Sequence, residues 1–143
     1  MLFCYYSKNA RDDITMNIKI LLNDLKQYNP KIISNKIIIT NKKQDLDLVI
    51  TAYKGETQNN DQTTFYRVSD DYAIADKVKP QTRKILFNRA IQFCNQVKST
   101  DYESWFILPI DSEDSTQVFG ICADTIDVHH VKDLVEKLWN FVK

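Results

Sequence analysis

The stretch that decides the fold is residues 104–142, at the end of the 143-residue chain. It reads SWFILPI (104–110), DSEDS (111–115) and TQVFGICADTI (116–126), and then opens a helical segment at Asp127. Two apolar runs on either side of a short acidic segment predict a β-hairpin. The apolar residues of the last segment recur with the period of a helix and are Val131, Leu134, Val135, Leu138 and Val142. The stretch therefore predicts a hairpin with an amphipathic helix packed against it.

The first strand of this hairpin is apolar on both faces. Because side chains alternate along a strand, the odd residues of 105–109 point to one face and the even residues of 106–110 to the other. A strand that is apolar on both sides is typical of the centre of a sheet. We therefore expect a central strand with other elements packed on each face.

The N-terminal third reads as a helix followed by a hairpin. Asp12 and Asp13 start the helix, where acidic side chains suit the positive end of the helix dipole, and Pro30 ends it. Its apolar face consists of Ile14, Ile18, Leu21, Leu22 and Leu25. Residues 32–40, rich in β-branched side chains, predict one strand, and residues 46–53 predict its hairpin partner.

The middle of the chain predicts a polar loop at 54–63, a short strand at 64–68 and a helix from Gln81, with Pro80 placed to begin its first turn. The residues expected to face inward from this helix are Ile85, Leu86, Arg89 and Ala90. Residues 91–97 alternate between apolar and polar side chains, which indicates a strand that follows the helix.

Composition places the chain among ordinary globular domains. Hydrophobic residues make up 43% of the chain and charged residues 27%, values close to the globular average that disfavour disordered and membrane classes. Nineteen basic residues balance nineteen acidic ones, so we expect no nucleic-acid partner. The length fits one domain over 1–143. The fold class predicted is α+β, with a central antiparallel sheet of about five or six strands and helices packed on it.

Cysteine and glycine usage indicate the compartment and limit the chemistry. Cys4, Cys94 and Cys122 are odd in number and lack metal-ligand spacing, and no signal peptide is recognisable, which favours a reducing cytoplasmic setting. The apolar start, residues 1–6, is too short to span a bilayer, so we expect no membrane contact. With only two glycines in the chain, the glycine-rich loops that cradle phosphates are excluded.

Two segments carry a resemblance to a known family. Residues 104–110 end in an apolar-Pro-apolar step, and residues 117–124 (QVFGICAD) are built around a V-hydrophobic-Gly step. Residues 85–97 add a short helix followed by a strand. In this pattern and in the order of its elements the chain resembles a GAF domain, a PAS-like sensory domain, of the kind found in sensor histidine kinases. The chain departs from the family in its few central glycines and in having no recognisable chromophore-binding Cys-His pair.

The resemblance implies a ligand pocket between the sheet and the segment 66–97 that covers it. The residues expected to line this pocket are Tyr66, Phe87, Phe93, Trp105, Phe119 and Cys122. The alternative is an ordinary aromatic core, in which Cys122 is a small buried hydrophobic residue rather than a nucleophile. The residues indicate no particular cofactor.

Histidines and acidic residues offer few candidates for metal or acid-base chemistry. His129 and His130 are adjacent, so on a helix their side chains diverge by about 100° and do not chelate one ion together. Asp124, Asp127 and His129 could form an acid-base group, although Asp127 is better explained as a helix N-cap. The acidic turn 111–115 could hold a cation but is more typical of a solvated hairpin tip. We therefore expect no metal site and no catalytic residues.

The function predicted is that of a non-catalytic, regulatory domain in a cytosolic signalling protein. It would bind a small molecule or transmit a signal through its terminal helices, and Trp139 and Phe141 beside the apolar stripe of the last helix suggest a homodimer through those helices. The alternative is a ligand-free protein-interaction or dimerisation module. A small enzyme is the least favoured of the three classes because the sequence contains no convergent catalytic set.

Overall fold

The computed structural model of the chain describes residues 5–6, 17–42, 46–70, 80–97, 103–109 and 119–142. These residues form seven strands: β1 (Tyr5–Tyr6), β2 (Lys31–Ile33), β3 (Lys36–Asn41), β4 (Leu46–Glu56), β5 (Gln62–Asp70), β6 (Ser104–Pro109) and β7 (Phe119–Thr125). The helices are α1 (Ile18–Asp24), α2 (Pro80–Val97) and α3 (Val131–Val142), with short 3-10 turns at Lys26–Tyr28 and Val128–His130. The predicted α+β class is confirmed.

All strands belong to one antiparallel sheet. Six of them follow the order β2-β3-β4-β5-β7-β6, and β1 pairs with the far end of β4. The longest ladder joins β4 to β5, from Leu48 opposite Asp70 to Glu56 opposite Gln62. Both strands are longer than the sequence indicates, so the polar loop between them shrinks to residues 57–61.

One face of the sheet carries the core beneath the helices. Strand residues on this face include Ile50, Val68 and Ala123, which lie opposite one another in register and are fully buried. The residues that pack on them from the helices are buried as well and are Leu21 of α1, Leu25 directly after it, Ala90 of α2, and Val131, Leu134, Val135 and Leu138 of α3. The predicted apolar stripe of α3 is confirmed for its four residues in this list. Of the stripe predicted for the first helix, Ile14 lies outside the described residues.

The chain divides residues 31–41 differently from the prediction. Instead of one strand, a two-residue turn at Ser34 and Asn35, with φ of 51° and 63°, separates β2 from β3. Positive φ at both central positions is the geometry of a tight hairpin turn, and asparagine tolerates it better than most residues. The prediction of one strand was wrong because β-branched residues on both sides concealed a turn without glycine.

Helix α2 is longer than predicted, and its inward face is a different one. The strand expected at 91–97 is wrong, since α2 continues to Val97. Ala90, Phe93, Cys94 and Val97 have the i, i+3, i+4, i+7 spacing of one helical face, and they pack on the core. Ala90 faces inward as predicted, whereas Ile85 is 61% exposed and Arg89 lies on the surface. The side chain of Leu86 is outside the described part.

Strand β6 lies at the edge of the sheet, so the prediction that it is central was wrong. In the described sheet it pairs with β7 alone, while β7 lies between β5 and β6. Trp105 and Ile107 of β6 pack in the core under α2, and the register places Phe106 opposite Cys122 on the other face. Among the described residues, no helix is both long and apolar enough to cross a membrane.

Candidate functional site

Of the six residues predicted to line a pocket, three lie together in the packed core and one lies on the other face of the sheet. Tyr66 and Trp105 belong to the packed core, and Phe93 of α2 meets Trp105 edge to face at 5.1 Å between ring centroids. Cys122 is buried on the opposite face of the sheet, because it alternates with the core residues Ile121 and Ala123. The side chains of Phe87 and Phe119, on α2 and β7, are outside the described part of the chain.

Tyr66 and Trp105 differ in how their polar groups are satisfied. The amide Nδ2 of Asn17 donates a 2.6 Å hydrogen bond to the Tyr66 hydroxyl, which connects the start of α1 to β5. The buried indole N–H of Trp105 has no hydrogen-bond partner among the described residues. A buried donor without a partner costs about 1–3 kcal/mol. The burial of both rings in the core cluster favours the alternative prediction, an aromatic core, for this part of the molecule.

An open cleft of about 620 Å³ lies elsewhere, where the 3-10 turn that follows α1 and the hairpin β2–β3 face the C-terminal half of α3. We call it the α3 cleft. Its lining residues come from three parts of the sequence and are Gln27, Tyr28, Asn29, Lys31, Thr40, Asn41, Lys42 and Trp139. Its volume is within the range of small-molecule sites.

Aromatic side chains form one wall of the α3 cleft. The rings of Tyr28 and Trp139 lie 5.3 Å apart at an interplanar angle of 54°. Burial raises the pKa of the Tyr28 hydroxyl, a hydrogen bond with the Gln27 side chain opposes this effect, and the negative charge of Glu136 adds to it. Tyr28 is therefore neutral at physiological pH and contributes an uncharged ring and hydroxyl to the cleft.

Polar groups form the other side of the α3 cleft. Lys31 and Lys42 are exposed, and Asn29 holds the left-handed backbone conformation, with φ of 52°, that lets the chain turn from the 3-10 segment into β2. The Thr40 hydroxyl donates to Asp47 Oδ1 at 2.8 Å. Asn41 is only 4% exposed. The cleft thus combines two cations, several amides and an aromatic wall.

The start of α3 is fixed by a buried carboxylate that the sequence analysis did not single out. Glu103 is 1% exposed, accepts a 2.8 Å hydrogen bond from Lys137 Nζ, and lies 2.9 Å from His130 Nε2. His129 instead faces Asp24, at 3.2 Å from its Nδ1, so the two histidine rings have different partners. Asp127 accepts from the backbone N–H of His129 at 2.9 Å, which confirms the predicted N-cap.

The second face of the sheet carries a buried ion pair. Arg67 donates to both oxygens of Asp124, from Nε at 2.8 Å and from Nη2 at 3.1 Å. The Tyr53 hydroxyl donates to Asp124 Oδ2 at 2.7 Å, and the guanidinium lies over the rings of Tyr53 and Phe106. Asp124 thus pairs with Arg67 and Tyr53, and the His129 ring lies against Asp24, so the acid-base group considered from the sequence does not form.

The pKa of Arg67 follows from this environment. Burial acts to lower the pKa, but the hydrogen bond and charge of Asp124, with contributions from Tyr53 and Cys122, outweigh it and raise the pKa above its usual value. The guanidinium stays charged at every pH at which the protein folds. This cluster joins β4, β5 and β7 and has the character of a structural ion pair.

Cys94 is expected to react slowly in the folded protein. Burial raises the pKa of its thiol to about 11, from an ordinary value of 9.0. Because the thiolate is the reactive species, a pKa two units higher lowers its fraction at pH 8 about 100-fold.

Peptide-resolved mass spectrometry after brief iodoacetamide treatment should show labelling of Cys94 slower by at least this factor than in the guanidinium-unfolded chain. The rate should rise about tenfold per pH unit between pH 8 and 10. Equal labelling of the folded and unfolded chains at pH 8 would contradict the assignment.

Within the described ranges, no three histidine, cysteine, aspartate or glutamate side chains lie close enough together to hold a metal ion. Comparison of the chain with protein-family models, with curated proteins and with solved structures finds no match. The α3 cleft therefore stands on its geometry alone. Sequence patterns could not have indicated it, because Tyr28 and Trp139 meet only after α3 docks beside α1.

Proposed function

We propose that this chain is a regulatory, non-catalytic domain that binds a small molecule in the α3 cleft and passes the effect of binding on through α3. The observation that carries the proposal is the position of Trp139. It lines the cleft from the helix that closes the core, and its ring meets that of Tyr28, which belongs to the body of the domain. A ligand in the cleft would touch the terminal helix and the body of the domain at once.

The two halves of α3 are held in different ways, which gives binding something to change. Up to Leu138 the helix is anchored by the Glu103 contacts to Lys137 and to His130, which directly precedes α3, and by the buried residues of its stripe, Val131, Leu134, Val135 and Leu138. Beyond Leu138 the helix contacts the domain through Trp139 on Tyr28 and Phe141 on Phe93. A ligand that fits only the docked arrangement shifts the population toward it. The end of α3 is then the part that reports binding.

We further propose that the chain is a GAF- or PAS-like sensory domain of a cytosolic signalling protein, such as a histidine kinase. An antiparallel sheet with a closing helix packed against it supports the assignment. The pocket we propose differs from the one that the resemblance implies, since Tyr66 and Trp105 are buried in the core. The separate structural partners of Asp124 and His129 support a regulatory role over a catalytic one.

Ligand binding is tested by a thermal-shift screen of the whole chain against small anions, amino acids and nucleotides. A compound at a hundred times its dissociation constant should stabilise the fold by about 2.7 kcal/mol, a shift of a few degrees. The hit should also slow hydrogen exchange in the last turns of α3. Trp139→Leu should abolish the shift, whereas Phe141→Leu, an aromatic substitution on the same helix outside the cleft, should retain it.

Three results would contradict this proposal in whole or in part. One is a hit whose shift is equal in Trp139→Leu and Phe141→Leu, which would place the ligand outside the α3 cleft. Another is binding that leaves hydrogen exchange of α3 unchanged, which would remove the signalling role. Absence of any shift across the screen counts against ligand binding altogether.

A second candidate, an interaction or dimerisation module, is favoured by the edge strand β2. Ile32 and Ile33 are 50% and 55% exposed there, and β2 pairs only with β3 in the described sheet. An edge strand with exposed apolar side chains is a template for pairing with another chain. By contrast, Trp139 and Phe141, expected to serve a dimer, contact Tyr28 and Phe93 within the chain. Light scattering that detects a dimer dissociated by Ile32→Lys, without any ligand, would favour this candidate.

A further inference from the structure

The lining of the α3 cleft is selective in charge. Lys31 and Lys42 both line it, and among the described residues no aspartate or glutamate does. Two described carboxylates act on residues that line the cleft: Asp47 accepts from the Thr40 hydroxyl, and the charge of Glu136 acts on Tyr28. Asp47 is thus held by a neighbour, and Glu136 lies one turn before Trp139 on α3 without lining the cleft. The two exposed lysines are thus the charged side chains that line the cleft itself.

The cleft is also selective in shape. The Trp139 indole and the Tyr28 phenol form a wall against which a flat ring can lie, and aromatic rings favour offset or tilted contacts with one another. The Tyr28 hydroxyl and the side-chain amides of Gln27 and Asn29 lie around this wall. A volume of about 620 Å³ admits a ring together with a charged substituent.

Given the proposed function, on which this step rests, we infer that the ligand of the α3 cleft is a planar aromatic anion. Its ring stacks on Trp139, and its negative group, a carboxylate or a phosphate, pairs with Lys31 and Lys42. Trp139 thereby recognises the aromatic ring of the ligand, and the two lysines recognise its negative charge. Each half of the recognition can be removed separately by substitution.

The test uses two pairs of probes that differ mainly in charge. Indole-3-acetate and indole-3-acetamide compare a carboxylate with a neutral amide, and adenosine monophosphate and adenosine compare a phosphate with its absence. Isothermal titration calorimetry on the full chain should show at least one anion binding about tenfold or more tightly than its neutral partner. The pair that discriminates identifies the anionic group. Raising the salt concentration should weaken binding of the anion and leave the neutral probe unchanged.

Substitutions separate charge from ring recognition. Lys31→Gln with Lys42→Gln should remove the preference for the anion and retain binding of the neutral probe, while Lys19→Gln, an exposed lysine of α1 outside the cleft, should change neither. Trp139→Leu should weaken both members of the pair. Unchanged thermal midpoints in the lysine variants show that the fold is intact.

The outcomes distinguish this inference from the proposed function. Equal affinity for anion and neutral probe would overturn the inference and leave a ring-binding regulatory cleft. If the anion binds but leaves the hydrogen-exchange rates of α3 unchanged, the result would uphold the inference and contradict the signalling role. Binding of neither pair, or a charge preference that survives the double lysine substitution, overturns the inference.

Discussion

Replacing Asp124 with alanine is expected to lower the free energy of unfolding by about 3 kcal/mol. The carboxylate is 3% exposed at its side chain and is the partner of both the Arg67 guanidinium and the Tyr53 hydroxyl. Its removal leaves a positive charge that is only 25% exposed between two aromatic rings, without a counter-ion. We place the value at the lower end for buried ion pairs because Arg67 keeps some access to water. Urea unfolding at neutral pH, followed by circular dichroism, measures the loss.

The cause can be isolated with a double substitution and a control. Arg67→Met combined with Asp124→Leu removes both charges and should cost less than Asp124→Ala alone, because an unpaired buried charge costs more than an absent pair. Asp61→Ala, in the exposed β4–β5 turn, should change stability by less than about 0.5 kcal/mol. A loss under about 1 kcal/mol for Asp124→Ala would show that the pair contributes little.

Leu138→Ala should lower the free energy of unfolding by about 3 kcal/mol, within the range for a fully buried leucine. Leu138 is completely buried and is the last residue of the α3 stripe whose side chain is described. Its truncation leaves a cavity between α3 and the sheet and loosens the helix next to Trp139. Urea unfolding gives the loss, and Asn140→Ala, exposed on the same helix, is the matched control.

Two features of the Leu138 variant distinguish packing from other causes. The loss should appear in the unfolding midpoint with an unchanged denaturant slope, since the transition remains cooperative. Affinity for any ligand of the α3 cleft should fall as well, because Trp139 depends on the docking of α3. A variant as stable as Asn140→Ala would mean that α3 is not part of the cooperative core.

Segments whose apolar residues repeat with the period of a helix were predictable from the sequence. Features that depend on which strands pair with each other were not. The stripe of α3 repeats every three or four residues over a whole helix, so local pattern and tertiary packing agree, and the N-cap at Asp127 follows from the same local chemistry. In contrast, Ser34 and Asn35 form a tight turn without the glycine that usually reveals one. The position of β6 at an edge depends on which strand pairs with β7, and no local pattern encodes that choice.

The candidate site was the least predictable part for the same physical reason. Arg67 and Asp124 form a pair because β5 and β7 place them directly opposite each other, a register that only the folded sheet defines. Glu103 precedes β6 without a neighbouring histidine or lysine in sequence, yet it meets His130 and Lys137 of the closing segment. Aromatic residues were expected to mark a pocket, but Tyr66 and Trp105 fill the core, and Trp139, assigned to a dimer, lines the cleft.

The register of the sheet also sets an order in which the chain can fold. The β4–β5 ladder closes a short turn, from Glu56 opposite Gln62, so it forms at small entropic cost. The β5–β7 ladder joins Tyr66 to Thr125 and must close a much longer loop. During synthesis the hairpins of the first half emerge while β5 still has an open edge, which remains available for pairing with another chain until β7 arrives. The C-terminal stretch, which carries β7, thus covers the open edge of β5 and ends the period in which that edge is exposed to aggregation.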